Sequence, residues 1–414
     1  MIRTYLYACH LPKVEADALN HESGRIYTRA LVEHYRVYRQ TGHWLSPFKL
    51  KQLVDFYDTQ DGRARLLHSH TTDAAQEGFP KACKTARECR KLGLDNRYPY
   101  KRKYWRTTIW KQTGIQPTAS GLLLKRAKGQ PPISVSLPNL SGDVLEARLV
   151  YDRVGRQYDW HIVTDDRREP PSAPGVNVAA VDLGEVHPAA VTDGNESVVF
   201  ACRALRAVKQ HGHKRRAELQ RLQAAKTKGS LAWKKLQRRK TRFAAQQQRR
   251  LRDIEHKVSR AVVDWAVQRK VGTLAIGDVR DIGDGKRLKT ISQQKVSSWG
   301  HGKLREYCTY KAEAEGMNVP LVEEHHSSQT CPMCGQRHKP SGRVYRCPAC
   351  GFVGHRDGQV GAVNLLSRHT QGEVGRLRPP ATTKYRHPFG RLAFGTGKRS
   401  RLDTAQVAWA GQHD

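Results

Sequence analysis

The sequence has no apolar run near the roughly 18 residues that a membrane-spanning helix needs. Its opening, MIRTYLYACHLPKVEADALNHE, also lacks the apolar core of a secretory signal. Apolar residues are only 38% and mean hydropathy is −0.70, so much of the chain faces water or a polar partner. A soluble, intracellular protein with no membrane partner is expected. Acidic residues are the second shortage: 38 Asp and Glu stand against 73 Lys and Arg, a net charge of +35. A compact chain so charged repels itself until a polyanion neutralises it. Nucleic acid is the obvious polyanion, since no amphipathic segment with a clean apolar face suggests a membrane surface. Third, no disulfide framework exists. Of nine cysteines, Cys9, Cys83, Cys89, Cys202 and Cys308 are scattered, and a chain of 414 residues buries enough core to fold without staples. That length suggests two to four folding units.

Residues 20–60 read as helical, with Tyr27, Ala30, Leu31, His34, Tyr35 and Tyr38 at helical spacing, and 75–92 as a second, basic helix. From Tyr98 the texture changes. YPYKRKYWRTTIW, ISVSLP (133–138), LEARLVY (145–151) and YDWHIV (158–163) alternate with period two between Gly, Pro and Asp punctuation, which predicts strands of a small barrel or sheet. DDRREPPSAPG (165–175) reads as a linker and boundary. VNVAAVDLGEVHPAAVTDG then gives strand, turn and strand. Residues 206–257 carry 18 Lys or Arg against Glu218, Asp253 and Glu255, and their apolar positions are interrupted at Gly229-Ser230, which predicts a helical hairpin. GTLAIGDV (272–279) predicts a buried strand. Residues 371–414, polar and basic, are expected to be mostly disordered.

The remaining cysteines form C-x2-C-x12-C-x2-C: Cys331, Cys334, Cys347 and Cys350. Each knuckle turns at a following glycine, Gly335 or Gly351, and the two knuckles complete a closed tetrahedral site for one structural Zn²⁺. A closed site leaves catalysis to be sought elsewhere. Asp182 ends the apolar run Val178–Val181 before a Gly turn, and Asp357 lies just past the second knuckle in HRDGQVGAVNLL. Either alone reads as turn or cap chemistry. Together, flanking the cysteines, they read as metal-binding carboxylates.

On AAVDLG (179–184), HKVSRAVVDWA (256–266), SSQTCPMCG (327–335), CPACG (347–351) and HRDGQVGAVNLL (355–366), the sequence resembles the TnpB family of RNA-guided DNA endonucleases and their descendants, the compact type V CRISPR effectors. The last motif is usually D-R-D-x-N-A-A-x-N. Here His355 and Gln359 differ, and Asp357, Ala362 and Asn364 are read in register. The likeness is dense over 176–367 and diffuse over 1–170.

The resemblance implies a multidomain α+β protein: an RNase H-like (RuvC) nuclease domain with an inserted zinc ribbon, preceded by a β-barrel wedge domain interrupted by a helical recognition domain. The expected segments are 1–19 (first wedge strand), 20–97 (recognition), 98–170 (wedge barrel), 171–326 (nuclease, with the hairpin 206–257), 327–353 (ribbon), 354–370 (last motif and helix) and 371–414 (tail). It further implies guide RNA and double-stranded target DNA as partners, two Mg²⁺ at the carboxylates, and a prokaryotic, nucleoid-associated location in the cytoplasm; the oligomeric state is left open.

Two-metal chemistry needs at least three converging carboxylates. Where the family's second motif carries Glu, this chain has Gly277. Asp278 points to the other face of a regular strand. Three resolutions stand: catalysis is lost, the strand bulges to turn Asp278 inward, or Glu324, at the end of the apolar stretch Val319–Val322, takes the role. Glu324 is the expected one, with Asp182 and Asp357, and Glu323 would point away. His325, His326 and His355 lie near this site. Tyr100, Lys101, Arg102, Lys103, Trp105 and Arg106 are expected to stack bases and hold phosphates of the guide, and Lys234, Lys235, Arg238 and Arg239 to line a heteroduplex channel. The expected activity is Mg²⁺-dependent, guide-directed DNA cleavage. A nuclease-inactive binder of target DNA and a guide-free RuvC-type nuclease or transposase accessory are the rivals.

Overall fold

The computed structural model describes residues 2–62, 64–138, 140–153, 155–167, 169, 171–279 and 300–388. The chain divides into two compact units, residues 1–169 and 170–414, with the division inside the Pro-rich linker.

In the first unit, β1 (Ile2–Ala8) is followed by helices α1 (Lys13–Thr41), α2 (Pro47–Gln60) and α3 (Ser69–Lys91). Strands β2 (Thr108–Lys111), β3 (Ile115–Thr118), β4 (Gly121–Leu124), β5 (Ile133–Ser136), β6 (Asp143–Asp152) and β7 (Gln157–Asp165) come next. The strands do not close into one barrel. Among the described residues they pair as a four-stranded sheet, β1-β7-β6-β2, and a three-stranded sheet, β3-β4-β5. Both contribute to one core that includes Leu122, Ile133, Ala147, Leu149, Trp110, Trp160 and Ile162. The expected border at 19/20 cuts through α1, a single helix of 29 residues. Its first half lends Ala16, Leu19 and Ile26 to the sheet core, and its second half packs Tyr27, Ala30 and Leu31 against α2 and α3. One amphipathic helix thus serves two cores because its apolar stripe does not stop between them.

The basic-aromatic run is not a strand. Residues 98–107 form an irregular strap, and the sheet begins at Thr108. Backbone of the strap lies so close to α1 that a Cβ on Gly24 would stand 2.6 Å from Trp105 N. The Thr28 hydroxyl donates to Lys103 O at 2.8 Å, and the Asn20 carbonyl accepts from Arg106 N at 3.0 Å. Helix-facing backbone has taken the hydrogen bonds that a sheet ladder would need.

The second unit contains β8 (Asn177–Asp182), β9 (Ala189–Thr192) and β10 (Ser197–Phe200), then α4 (Arg203–Ala224) and α5 (Leu231–Gln268). These are followed by β11 (Val271–Asp278), α6 (His301–Ala314) and β12 (Leu321–Glu323). A small antiparallel pair, β13 (Val344–Arg346) and β14 (Val353–His355), precedes a π-helical turn (Arg356–Gly361), α7 (Ala362–Gln371) and β15 (Thr383–Arg386). The main sheet runs β12-β11-β8-β9-β10-β15. Strands β8, β9 and β10 are antiparallel neighbours, while β11 and β12 run parallel to β8.

Both faces of the sheet are covered, so its strands read as continuous apolar runs. Ala179, Val181, Leu274 and Ile276 face a core built with Val258, Val262 and Trp265 of α5 and Leu304, Cys308 and Ala312 of α6. Ala180, Ala275 and Val322 face Leu365 and Leu366 of α7. Helices α4 and α5 form the expected hairpin, broken at residues 225–230, where Gly229 adopts φ 89° and Ser230 caps α5 by accepting from Trp233 N. The Gln223–Gln237 hydrogen bond near the turn and the His211–Phe243 ring contact farther from it mark the antiparallel packing.

The segment expected to be disordered after residue 371 contributes an ordered strand. β15 pairs in parallel with the buried strand β10 and is held by Lys384 on Glu196 at 2.7 Å. An apolar strand such as β10 (SVVF) gains from a covered edge. Residues 389–414 lie outside the described residues.

Candidate nuclease site

Strand alternation decides which side chains meet. Ala180 faces α7, so Asp182, two residues on, shares that face; Ala275 places Gly277 there, and Val322 places Glu324 there. Asp278 falls on the opposite face, where Arg305 of α6 donates to its carboxylate at 3.0 Å. Asp278 is therefore not turned inward. Glu323, paired across from Asp278, is exposed and lies 3.6 Å from Arg368.

The decisive contact is at Gly277. A Cβ built there would overlap the Glu324 carboxylate. Glu324 thus fills from β12 the volume that a side chain at position 277 would fill from β11. Its Oε1 is buried and has no hydrogen-bond partner, an expensive state for a carboxyl oxygen unless a cation or proton joins it. Burial pushes the Glu324 carboxyl up to about 9, with the charges of Asp182 and Asp278 adding. Asp182 rises to about 7, through burial first and the charge of Asp357 second, against the pull of Arg356 and Arg343.

Asp357 sits in the π-helical turn and is 6% exposed. Asp357 and Asn364 are separated by one residue more than in the family motif, so the motif is not fully in register. The π turn absorbs that extra residue. Within it, Gly361 lets the backbone lie against Asp182: a Cβ there would overlap Asp182 Oδ2. Buried Asn364 then anchors the segment before the first knuckle, donating to Ser327 O and Thr330 O at 2.7 Å each.

Two residues that sequence reading missed hold Asp357. His187 Nδ1 lies 2.8 Å from Oδ2, and Arg343 Nη1 lies 2.9 and 3.0 Å from the two oxygens. Burial would raise Asp357, but the His187 hydrogen bond and the Arg343 charge overcome it and hold the group at about 2. The ionised carboxylate accepts, so His187 donates from Nδ1. His187, His355 and Asp357 have donor atoms close enough to share one cation. His355 is driven down to about 4 by burial and stays neutral, with Nδ1 accepting from Gly358 N. The one signal for His187 was its place in the same β8–β9 turn as Asp182. Arg343 had none, being 14 residues from its partner. The rings of His325 and His326 are tilted against each other, with centroids 3.7 Å apart.

The four cysteines converge. Cys331 and Cys350 Sγ atoms are 3.6 Å apart, as are those of Cys334 and Cys347, and all four lie within 4.8 Å. A tetrahedron with arms of about 2.3 Å has edges of about 3.8 Å, so the donor set fits Zn²⁺. Gly335 and Gly351, both at φ 73°, make the knuckle turns.

The proposed nucleic-acid contacts divide. Tyr100, Lys101 and Arg102 are exposed on the strap, and Lys234, Lys235, Arg238 and Arg239 are exposed on α5. Trp105 and Arg106 are half-buried and make contacts within the first unit. Trp105 meets His21, Tyr151 and Tyr158, and the Arg106 guanidinium lies over the Tyr27 ring at 4.7 Å and covers Gly78. Lys103 is exposed but sits 4.8 Å over Tyr27.

A family described as "Cas12f1-like, TNB domain" matches residues 301–365, and one described as "Probable transposase" (OrfB_IS605) matches 161–283. The TnpB-like protein MJ0751 of Methanocaldococcus jannaschii is 28% identical over 141 residues, 34% of this chain and 49% of that protein. The CRISPR-associated endodeoxyribonuclease Cas12f1 of Sulfoacidibacillus thermotolerans is 29% identical over 105 residues, 25% of this chain and 24% of that one. The matches thus span half or less of these relatives. A Cas12f1 chain solved with sgRNA and target DNA shares the fold, with a TM-score of 0.55, 11% identity, and coverage of 82% of this chain and 81% of that one. Over these segments the chain is similar to TnpB-like proteins and to Cas12f1 endodeoxyribonucleases. No helix among the described residues is long and apolar enough to cross a membrane.

Proposed function

We propose that this protein is an RNA-guided DNA endonuclease whose centre consists of Asp182, Glu324 and Asp357 in an RNase H-like domain. The observation that carries this reading is Glu324 standing in the space left by Gly277, with a buried, unpartnered oxygen beside Asp182. The order of the sheet, three antiparallel strands followed by two parallel to the first, supports the RNase H-like assignment. The three carboxylates come from β8, the end of β12 and the turn before α7, and suit two Mg²⁺. Bound there, the metals would supply an activated water and a counter-charge for the leaving oxygen.

The residues of the chain do the remaining work. Arg343 and His187 orient Asp357 and keep it ionised. Asp182 and Glu324 together hold protons that must leave for a cation to enter. One Zn²⁺ on Cys331, Cys334, Cys347 and Cys350 would fix the segment carrying Arg343. Guide RNA, through base pairing, would supply sequence choice, while exposed cations of the strap and of α5 hold backbone. A prokaryotic cytoplasm, on the nucleoid, is the setting this reading implies.

The test is plasmid cleavage with Mg²⁺, using protein expressed with its native flanking DNA so that it purifies with its own RNA. Wild type is compared with Asp182→Ala, Glu324→Ala and the swap Gly277→Glu/Glu324→Ala. Loss in both single variants, by more than about 100-fold, is expected. Guide-dependent binding without cutting in wild type would identify an inactive binder instead. Cutting without RNA would identify a guide-free nuclease.

A further inference from the structure

Glu324 lies just past the end of its strand. The pairing of β12 with β11 stops at Glu323, opposite Asp278, and β12 is the edge strand of the sheet. The side chain offers little hold of its own, since Oε1 is buried without a partner. A metal-binding carboxylate must nevertheless be held to within about 0.5 Å. The backbone on either side of Glu324 therefore has to be fixed by something other than the sheet.

The carbonyls of residues 323–327 all have donors, and the donors show what fixes it. Glu324 O accepts from Ser327 N at 3.0 Å, and His326 O accepts from Gln329 N at 2.9 Å. Ser327 O accepts from Asn364 of α7. The two carbonyls that flank Glu324 both go to one guanidinium, also on α7. Arg368 donates from Nη1 to Glu323 O at 2.5 Å and from Nη2 to His325 O at 3.1 Å. Asn364 and Arg368 are four residues apart and so share a face of the helix. Between the two clamped carbonyls and Asn364, His326 adopts φ 62°, a left-handed conformation that surrounding contacts must impose on a residue with a side chain.

The charge of Arg368 is the lesser part of this contact. It lies 3.6 Å from the Glu323 carboxylate, whose side chain is 75% exposed, and an ion pair so exposed contributes little. Two parallel donors on a planar fork are what a lysine could not copy. Both Nη nitrogens already donate to backbone, which also argues against a phosphate as the intended partner.

We propose that Arg368 is a positioning residue: by bridging Glu323 O and His325 O it fixes the backbone on both sides of Glu324 and aims that carboxylate at the metal site. The proposal rests on the centre of Asp182, Glu324 and Asp357 read above. Because α7 begins at the turn that carries Asp357, one helix then sets the placement of two of the three carboxylates.

The full chain, freed of RNA at high salt, is titrated with Mn²⁺, and the unbound ion is read by electron paramagnetic resonance. Arg368→Ala should weaken binding about tenfold or more, and Arg368→Lys should not restore it. In the swap Gly277→Glu/Glu324→Ala the carboxylate comes from β11 instead. There Arg368→Ala should change the affinity by less than about twofold. Should the swap bind no Mn²⁺, the second background is Glu324→Gln, to which Arg368→Ala should add nothing. Should Arg368→Ala fail to fold, Arg368→Lys carries the same comparison. An equal loss in both backgrounds would mean a general role in folding and would overturn the proposal. Full recovery in Arg368→Lys would overturn the carbonyl clamp in favour of charge alone. Weaker DNA binding by Arg368→Ala, with Mn²⁺ affinity as in wild type, would make Arg368 a phosphate contact instead. Mn²⁺ affinity unchanged in Glu324→Ala would overturn the carboxylate centre itself, and the role of Arg368 with it.

Discussion

Glu324 carries a charge problem that makes it testable by pH. Both Glu324 and Asp182 have carboxyl groups raised by burial and by neighbouring negative charge. In the unfolded chain such groups ionise near about 4. Between there and the folded values, the folded protein holds more protons, so the metal-free protein loses stability as pH rises. Its melting temperature is expected to fall from about pH 5 to about pH 9, and Glu324→Gln should flatten that slope. A slope unchanged in Glu324→Gln would place the protons elsewhere. Divalent metal added at about pH 8 should release protons and restore the melting temperature, since the ligands must be ionised. At Asp357 the sign is opposite, because its folded value is depressed. Arg343→Ala and His187→Ala are each expected to raise it and to cost about 10- to 100-fold in metal affinity, as outer partners of a metal site do. Metal titration by calorimetry would read this directly, and an unchanged affinity in both variants would remove Asp357 from the site.

At the scale of elements, the site depends on two close approaches that side chains would prevent. Gly361 lets the π-helical turn lie on Asp182, and Gly277 leaves room for Glu324. Gly277→Leu should displace Glu324 and abolish cleavage while leaving RNA binding as it is, which a plasmid assay run beside a binding assay would show. The four-cysteine segment makes a different prediction. Cys347→Ser should remove the single Zn²⁺, measured by elemental analysis, and release Arg343 from Asp357, because a ribbon of this size has little apolar core beyond Tyr345, Phe352 and Val360. Cleavage should then fall with the zinc content. Cleavage that persists at full rate in the zinc-free protein would separate the ribbon from the site.

For the whole molecule, the net charge of +35 governs association. Nucleic-acid affinity should fall steeply with salt, by orders of magnitude between about 50 and 200 mM for six to ten phosphate contacts. Reversing Lys234, Lys235, Arg238 and Arg239 to Glu should weaken binding across all sequences and lower the salt slope, without changing the melting temperature, since these side chains are exposed. A salt slope equal to that of wild type would exclude α5 from the interface.

The sequence by itself determined whatever depends on neighbours along the chain. The two cysteine knuckles, the hairpin break at Gly229-Ser230, the strand that delivers Asp182 and the turn that delivers Asp357 are each written within a few residues, where spacing fixes geometry. Strand alternation even indicated that Asp278 and Glu323 would face away from Asp182. Tertiary structure decided what depends on partners far apart. Glu324 lies 47 residues from the glycine whose space it fills, and His187 and Arg343 lie 170 and 14 residues from the carboxylate they hold. The strap at 98–107 looked like a strand because basic and aromatic residues alternate, but α1 offered its backbone closer hydrogen bonds. β15 looked disordered because its composition is polar, yet the exposed edge of β10 supplied the pairing. Local pattern records the preference of a segment, whereas the surface it finally meets, set by the packing of two faces of one sheet, decides the conformation it keeps.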